Sequence, residues 1–346
     1  MATIYEIAEK ANVSVGTVDR VIHNRGRVSK ETAQKVRRLI QEMGYKPNVM
    51  ARNLSLKKIF QIGILIPDRD QDGGYWDLQA RGIDKAVLDI QMYNVRSSFF
   101  YYNKYSENSF EMACQEVLKQ KNNLAGLIIA PVLSKATERF IQTIPEDLPY
   151  IFIDSYLPNS KCLAFIGQES FQSGVLAAKL MSMLTGGEGS IVVLKVLPED
   201  YHINDRIEGF QFYLKDQQGP EVRILDADRM ADDQVLYRLA RSLYQEVVDL
   251  KGIFIPHACV FQVAESLNGQ MKKSGVHIIG YDLVESNRKY LQDGAIDFII
   301  SQRPENQGFQ AVSTLYKHVV LRQTVEHKIV IPMDIITKEN VYYYQI

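Results

Sequence analysis

The stretch ANVSVGTVDRVIHNRGRVS, residues 11–29, places a short polar turn ahead of an amphipathic segment and then ends in a basic loop. Asn12 tolerates a left-handed backbone and predicts the end of a first helix. Ser14 is a favoured N-cap and predicts the start of a second helix, whose apolar residues Val18, Val21 and Ile22 recur at helical spacing. The stretch therefore predicts two short helices joined by a tight turn.

The flanking sequence extends this pattern on both sides. Thr3 and Glu6 have the spacing of a capping box, which predicts that the first helix begins near residue 4. Ser29 is expected to cap a third helix, KETAQKVRRLIQEMG, which ends at Gly44. Three short helices with a tight turn between the first two match the helix-turn-helix plan, in which the second helix enters the major groove of DNA.

The charge distribution supports a polyanionic partner for this head. Residues 1–58 hold 12 Lys and Arg against 5 Asp and Glu, a net charge of +7, whereas the remainder holds 28 against 36, a net charge of −8. A basic segment on an acidic body is typical of a protein that binds nucleic acid through one end. The alternative is a small three-helix module that binds another protein.

The second helix carries side chains suited to DNA. Arg20 can donate two hydrogen bonds to guanine, while Ser14 and Thr17 suit phosphate oxygens at the helix N-terminus. Gly16 costs about 1 kcal/mol relative to alanine inside a helix. Close approach to DNA would explain that glycine.

Residues 3–58 resemble the DNA-binding head of the lac repressor/galactose repressor family, and the motifs GYKPN and ARNL after the third helix are specific to that family. The resemblance implies that Val15 and Gly16 occupy specificity positions and that Arg20 reads a base. Asp19 stands where a serine is usual, so the operator preference is expected to differ. The DNA-contacting residues expected for the head and hinge are Thr3, Ser14, Val15, Gly16, Thr17, Arg20, Asn24, Arg27, Asn48, Ala51 and Leu54.

The domain boundaries follow from these patterns. Residues 1–46 form the helix-turn-helix domain and residues 47–58 form a hinge. The segment NVMARNL is too short to be a stable helix on its own, so we expect it to order on DNA. The resemblance implies that Leu54 wedges into a base step in the minor groove. A simple interdomain linker is the alternative.

From residue 59 onward the pattern changes to short apolar runs that alternate with amphipathic segments. This alternation predicts an α/β fold with parallel sheets covered on both faces, and its length indicates two doubly wound lobes. The predicted strands are IFQIGILIP, VRSSFFYY, LAGLIIAP, PYIFID, LAFIG, GSIVVLKV, EVRILDA, GIFIP, VHIIGYD and AIDFIIS, and helices are predicted at 75–92, 106–120, 170–184 and 258–271.

This body resembles the periplasmic sugar-binding fold that the repressor family uses. The fold class expected for the chain is thus α/β, with a small all-α helix-turn-helix head and a two-lobed, periplasmic-binding-protein-like body over residues 59–346 for effector binding and dimerisation. The resemblance implies three crossings between the lobes, expected near 158–162, 284–290 and 319–325. Lobe 1 would then comprise about 59–158 and 290–320, and lobe 2 about 159–289 and 321–346.

Ligands of such folds bind at the carboxyl ends of the strands. The effector residues expected there are Tyr75, Trp76, Asp154, Arg206, His257, Asp282 and Gln302. Trp76 offers a rigid aromatic face for a sugar ring. The resemblance implies that Arg206 and Asp282 grip ligand hydroxyls, and His257 departs from the asparagine that is frequent in relatives. Each acid can instead be a helix cap, and His257 and Trp76 can be structural.

Other classes of protein receive little support. Residue patterns of phosphate loops, zinc hydrolases, serine hydrolases and CxxC sites are missing, so the chain is not expected to be an enzyme or to carry a metal or cofactor. Cys114, Cys162 and Cys259 are too few and too scattered for a disulfide framework. The sequence shows neither a signal pattern nor a membrane span, which predicts a cytoplasmic protein.

The predicted function is a transcriptional regulator that binds a palindromic operator as a homodimer, because two heads read two half-sites about one helical turn apart. A small-molecule effector, expected to be a sugar, would control it from between the lobes. Three alternatives remain: a nucleobase or other metabolite as effector, a cytoplasmic sugar-binding protein without a DNA role, and a sugar-modifying enzyme.

Overall fold

The computed structural model describes residues 3–22, 26, 28–45, 58–196, 200–215, 219–227, 234–267 and 275–344. The chain divides into two compact units, Met1–Lys57 and Lys58–Ile346. The predicted hinge therefore falls outside the described residues, except for Lys58. So do the predicted DNA contacts Asn24, Arg27, Asn48, Ala51 and Leu54.

The first unit contains the three predicted helices. Its helices are α1 (Ile4–Ala11), α2 (Val15–Ile22) and α3 (Lys30–Glu42). They enclose a small core whose buried members are Ile7, Ala8, Ala11, Val18, Val21 and Val36. Each helix turns one apolar face inward, as the spacing predicts.

The predicted caps of the head are confirmed. Thr3 and Glu6 form the reciprocal capping box, and Asn12 ends α1 in the left-handed conformation with φ 54°. The Ser29 side chain accepts a hydrogen bond from the backbone of Thr32 at the start of α3. Gly44 follows α3 with φ +59°, a conformation that glycine adopts without strain.

The second unit is an α/β body with two six-stranded sheets among its described residues. Every predicted apolar run forms a strand, and two short edge strands were not predicted. The strands are β1 (Phe60–Pro67), β2 (Val95–Tyr102), β3 (Leu124–Ile129), β4 (Tyr150–Ile153), β5 (Ala164–Gly167), β6 (Ser190–Val196), β7 (Glu221–Ala227), β8 (Leu250–Phe254), β9 (His277–Tyr281), β10 (Phe298–Ser301), β11 (Lys328–Val330) and β12 (Asp334–Ile336).

Helices connect most of these strands. The helix predicted at 258–271 spans Val260–Ser266, and residues 268–271 of that prediction lie outside the described residues. The body helices are α4 (Tyr75–Ile90), α5 (Glu107–Gln120), α6 (Ser134–Ile141), α7 (Ser170–Thr185), α8 (Tyr201–Lys215), α9 (Val235–Glu246), α10 (Val260–Ser266), α11 (Glu285–Gln292) and α12 (Pro304–Val319). No helix in the described parts of the chain combines the length and the apolar character that crossing a bilayer requires.

The two sheets repeat one topology. The first has the order β11-β5-β4-β3-β1-β2 and the second the order β12-β10-β9-β8-β6-β7. All strand pairs of the first sheet are parallel, and the second differs only in its antiparallel edge strand β12. This is the doubly wound arrangement, in which strand ends meet at one edge.

The structure places the lobe crossings later in the chain than predicted. β5 pairs with β4 in the first sheet, so the first crossing follows Gly167. β10 pairs with β9 in the second sheet, so the second crossing follows Ser301. β11 pairs in the first sheet and β12 in the second, which puts the third crossing between Val330 and Asp334. The apolar pattern of a buried strand does not reveal which sheet it joins, and this explains the error.

Among the described residues, one pair of helices in each lobe packs so closely that their backbones touch. A Cβ atom added at Gly82 of α4 would lie 1.9 Å from the backbone oxygen of Glu305 in α12. In the second lobe, a Cβ atom at Gly174 of α7 would lie 1.9 Å from the backbone oxygen of Arg206 in α8. These glycines let the helix backbones touch, and the second contact places the backbone of Arg206 directly against α7.

Candidate functional site

The pocket between the two lobes contains all seven residues that the sequence predicts for effector binding. The space between its lining atoms is about 240 Å³, including space that is open to solvent. The structure adds four residues that the sequence analysis missed. The complete lining is Asp72, Tyr75, Trp76, Lys104, Asp154, His202, Arg206, His257, Ala258, Asp282 and Gln302. No ligand contact tests their roles, which therefore stay predictions.

Strand ends deliver most of these side chains. Asp154 follows β4, Asp282 follows β9 and Gln302 follows β10 directly. Both aspartates adopt positive φ, 69° for Asp154 and 62° for Asp282. Aspartate tolerates this left-handed conformation better than most residues, and here the conformation turns the chain at the strand end.

Arg206 is the centre of the second-lobe wall. It is 1% exposed, and its guanidinium lies 3.9 Å from the ring centre of Tyr281. Its terminal nitrogens donate to the Pro256 carbonyl at 3.0 Å and to Gln302 Oε1 at 3.2 Å. Gln302 Nε2 in turn donates to Asp282 Oδ2 at 3.2 Å. The side chain is held on two sides, while its Nε atom has no hydrogen-bond partner.

Asp282 likewise has only one of its two carboxylate oxygens in a side-chain hydrogen bond. It is 2% exposed, and its Oδ1 atom has no hydrogen-bond partner. Burial raises the pKa of Asp282 to about 7, with Arg206 opposing the rise and Asp154 adding to it. A buried acceptor and a buried donor without partners are costly in a folded protein. Asp282 Oδ1 and Arg206 Nε are therefore suited to a polar ligand.

The first-lobe wall is a hydrogen-bond network around Asp154. Tyr75 donates its hydroxyl to Asp154 Oδ1 at 2.5 Å, and burial together with that carboxylate raises the pKa of Tyr75 well above its ordinary value. The Asp154 backbone N–H donates to Gln307 Oε1 at 3.0 Å. Gln307 Nε2 donates to the Gln302 carbonyl at 3.0 Å, which links this wall to the crossing between the lobes.

Asp72 and Lys104 close one end of the pocket. Lys104 Nζ donates to Asp72 Oδ2 at 2.6 Å, and Trp76 Nε1 donates to the same oxygen at 3.0 Å. Burial alone would raise the pKa of Asp72, but the Lys104 ammonium holds it well below its ordinary value. Trp76 is thus an anchored wall residue with 1% exposure, and its ring packs edge to face with the Tyr75 ring, the two ring centres being 5.0 Å apart.

This end also joins the lobes. Lys104 Nζ lies 3.1 Å from His257 Nε2, and the Cys259 thiol donates to Asp72 Oδ1 at 3.6 Å. Asp72, His257 and Cys259 together place metal-capable atoms within 4.8 Å of one another. The Lys104 ammonium contacts two members of that group, Asp72 and His257.

Two further polar contacts connect the lobes beside the pocket. Ser155 donates to Asp200 Oδ1 at 2.7 Å, and Tyr156 donates to Asp205 Oδ2 at 2.8 Å. His202 Nδ1 lies 2.6 Å from Asp200 Oδ1. Asp200 precedes α8 and Asp205 lies near its start, whereas Ser155 and Tyr156 follow β4 in the first lobe. The described conformation is therefore a closed one.

The head presents a candidate DNA-binding surface on α2. Gly16, Asp19 and Arg20 are exposed along one stripe, since they stand three and four residues apart. Ser14 caps the helix by accepting from the Thr17 backbone at 3.2 Å, and the two hydroxyls lie 2.9 Å apart. Val15 and Thr17 are half-buried, and Thr3 is exposed at the start of α1.

Gly16 has no packing role among the described residues of the head. Within that part of the chain, a Cβ atom added there would meet only Ser14 Oγ, at 3.8 Å. The described part of the head would therefore accept alanine at this position.

Sequence comparisons agree with both units. Residues 3–48 match the lacI family of bacterial regulatory proteins, and residues 62–322 match the periplasmic binding protein domain. A solved chain from Bacteroides fragilis, assigned as a LacI transcriptional regulator, is 31% identical, covers 83% of this chain and 100% of its own, and superposes with a TM-score of 0.74. This chain belongs to the lacI family.

Other relatives of this lacI-family regulator fit the same architecture. The ribose operon repressor of Lactococcus lactis is 26% identical over 99% of this chain and 98% of its own length. A solute-binding protein from Burkholderia graminis, solved with D-arabinose, has a TM-score of 0.71 at 20% identity and covers 83% and 98% of the two chains. The latter likeness shows the fold alone. The regulator thus combines a DNA-binding head with a body of the sugar-binding type.

Proposed function

We propose that this lacI-family protein binds operator DNA as a homodimer in the cytoplasm and that a sugar in the interlobe pocket controls its affinity for the operator. The relatives include a ribose operon repressor and a LacI transcriptional regulator, which supports a regulatory rather than a catalytic role. Ribose is the first sugar to test, because the Lactococcus lactis relative is named a ribose operon repressor.

The observation that carries the sugar proposal is the pair formed by Arg206 Nε and Asp282 Oδ1. Both atoms are buried, both belong to residues that line the pocket, and neither has a hydrogen-bond partner. A hydroxyl donates to a carboxylate and accepts from a guanidinium, so one polyol satisfies both. Trp76 and Tyr75 supply aromatic surface beside these polar groups, as in most small-molecule sites.

The control mechanism is a linkage between two binding equilibria. A sugar held by both walls stabilises the closed lobes, which already share the contacts Ser155–Asp200 and Tyr156–Asp205. If closed and open lobes favour different arrangements of the two heads in the dimer, sugar binding changes operator affinity by the coupling free energy. Such couplings are typically ~1–3 kcal/mol.

The sugar proposal is tested by thermal unfolding with a panel of sugars, sugar phosphates and nucleobases, since a bound effector raises the unfolding midpoint. Arg206→Ala is expected to abolish the shift. Arg223→Ala is the matched control, because Arg223 is an exposed arginine of β7 that pairs with Glu221. A shift that survives in Arg206→Ala, or one given only by nucleobases, would contradict the sugar assignment.

The DNA proposal is tested separately with duplexes selected from a random pool. Operator affinity should fall steeply with salt, because phosphate contacts release counterions. Arg20→Ala should reduce discrimination between sequences, whereas Arg37→Ala on the exposed side of α3 serves as the comparison. Salt-independent binding, or a lack of any selected duplex, would refute a DNA role.

A further inference from the structure

A second groove lies beside the crossings between the lobes and shares no lining residue with the interlobe pocket. We call it the lateral groove. About 460 Å³ of its space is accessible to water-sized molecules, which suits a small ligand, since such sites usually measure roughly 300–1,000 Å³. Its walls come from both lobes, because Tyr156 and Phe165 belong to the first lobe, whereas Phe171 of α7 and Asp205 of α8 belong to the second.

The electrostatics of the lateral groove favour a cation. Asp205 accepts the Tyr156 hydroxyl at Oδ2 but forms no ion pair among the residues that the structure describes. Lys328 lines the groove as well, and it is paired with Glu169, which precedes α7 and offsets the positive end of that helix dipole. Burial raises the pKa of Tyr156, and the carboxylates of Asp205 and Glu169 add to the rise. The Tyr156 hydroxyl therefore lies in a negative field.

Gln168 adds a buried hydrogen-bond acceptor to the lining. It follows β5 directly, is 2% exposed, and donates from Nε2 to the Ser301 carbonyl at the end of β10, 3.1 Å away. Its Oε1 atom has no hydrogen-bond partner among the described residues. Such an atom is costly in a folded protein. The groove thus combines a carboxylate and an amide oxygen, both of which suit a ligand group that donates several hydrogen bonds, as an ammonium does.

Aromatic rings supply the apolar part of the lateral groove. The ring centres of Tyr156 and Phe165 are 5.5 Å apart, and Phe171 is 39% exposed at the start of α7. Aromatic side chains provide a large apolar contact area, and their faces also attract ammonium groups. An amine with an aromatic body therefore matches both the polar and the apolar parts of the lining.

We propose that the lateral groove is a second ligand site, which binds a small organic ammonium ion with an aromatic body. The ammonium group donates to Asp205 and Gln168, and the aromatic body packs against Tyr156, Phe165 and Phe171. Because these side chains come from both lobes and from a crossing between them, a ligand seated there contacts both lobes at once. This site is separate from the proposed sugar site, so either proposal can fail without the other.

The test compares three probes that share a phenyl ring and differ in charge: phenethylamine, 2-phenylethanol and 3-phenylpropionate. Calorimetry with the full-length protein measures the dissociation constant of each probe. We expect phenethylamine to bind at least about tenfold more tightly than either analogue, which corresponds to about 1.4 kcal/mol. The proposal is wrong if phenethylamine does not bind at millimolar concentration, if the alcohol binds equally well, or if the carboxylate binds more tightly.

Variants test whether the amine binds in this groove. Asp205→Asn keeps an oxygen that can accept from Tyr156 but removes the charge, so the preference for phenethylamine over 2-phenylethanol should fall about tenfold. Asp293→Asn is the matched control at the exposed end of α11 and should keep the preference. Phe171→Ala changes a partly exposed side chain and should weaken binding of the amine and the alcohol alike. Far-ultraviolet circular dichroism checks that each variant is folded.

The outcomes of these variants are decisive for the lateral groove. A folded Asp205→Asn protein that keeps the preference, or an Asp293→Asn protein that loses it, would show that the ammonium group does not bind at Asp205. An unchanged affinity for phenethylamine in Phe171→Ala would show that its ring does not pack in the groove. A sugar that still raises the unfolding midpoint when phenethylamine fails to bind would leave the proposed function intact.

Discussion

Replacing Asp282 with asparagine is expected to stabilise the protein at alkaline pH. Burial raises the pKa of this carboxyl from its ordinary value of 3.8 to about 7, so the folded state holds the proton more tightly than the unfolded state does. The contribution of this proton to stability is present below about pH 4 and is lost as the pH rises through about 7. For a fully buried group, the loss is roughly 4 kcal/mol at pH 8 and roughly 2 kcal/mol at pH 5.

Asparagine does not ionise and retains an oxygen that can accept from Gln302. The free energy of unfolding of Asp282→Asn should therefore exceed that of the natural protein by a margin that grows by about 2 kcal/mol between pH 5 and pH 8. Urea denaturation at several pH values measures this margin. Asp293→Asn is the control, because Asp293 is exposed at the end of α11. A margin for Asp282→Asn that does not change with pH would refute the reasoning.

Three further outcomes follow from contacts described above. Effector affinity should rise about tenfold from pH 6 to pH 8, because ligand hydroxyls donate to the ionised form of Asp282. Calorimetry in two buffers should detect the proton that this carboxyl releases on binding. An affinity that does not change with pH would argue against this carboxylate as a ligand group. Gly16→Ala should raise the stability of the head by up to about 1 kcal/mol and weaken operator binding in anisotropy titrations. If operator binding is undiminished, close approach of the helix to DNA does not explain the glycine. Tyr156→Phe removes the hydrogen bond to Asp205 and should weaken effector binding about fivefold, because it destabilises the closed lobes. An unchanged dissociation constant in calorimetry would show that binding does not require this closure.

The local features of the chain could be predicted from its sequence. The capping box of Thr3 and Glu6, the left-handed Asn12 and the cap Ser29 depend on residues within one turn of each other. The buried strands were also predictable, because parallel strands covered on both faces are continuously apolar. Such patterns contain all the information that their structures require.

Long-range features were less accessible. The strand Ala164–Gly167 reads the same whether it joins the first or the second sheet, and only its pairing with β4 settles the question. The crossings between lobes were therefore placed too early. The edge strands β11 and β12 are three residues each, too short to show a period.

The sequence predicted only some of the pocket residues, because only some of them can be recognised from their position in the chain. Asp154, Asp282 and Gln302 follow strands directly, where doubly wound folds bind ligands. Lys104 also stands close to a strand end, two residues after β2, but its place in the pocket depends on its contacts with Asp72 and His257. Those partners are 32 and 153 residues away in the chain. A pattern of neighbouring residues does not reveal such a pair.

The backbone contact between α4 and α12 has a consequence for synthesis on the ribosome. Gly82 lies against the backbone of Glu305, so the helix that completes the first lobe is translated after most of the second lobe. Until that helix emerges, the nascent first lobe exposes the face of α4 that Gly82 leaves open. The first lobe of this regulator therefore cannot complete its packing until late in translation, after most of the second lobe has been made.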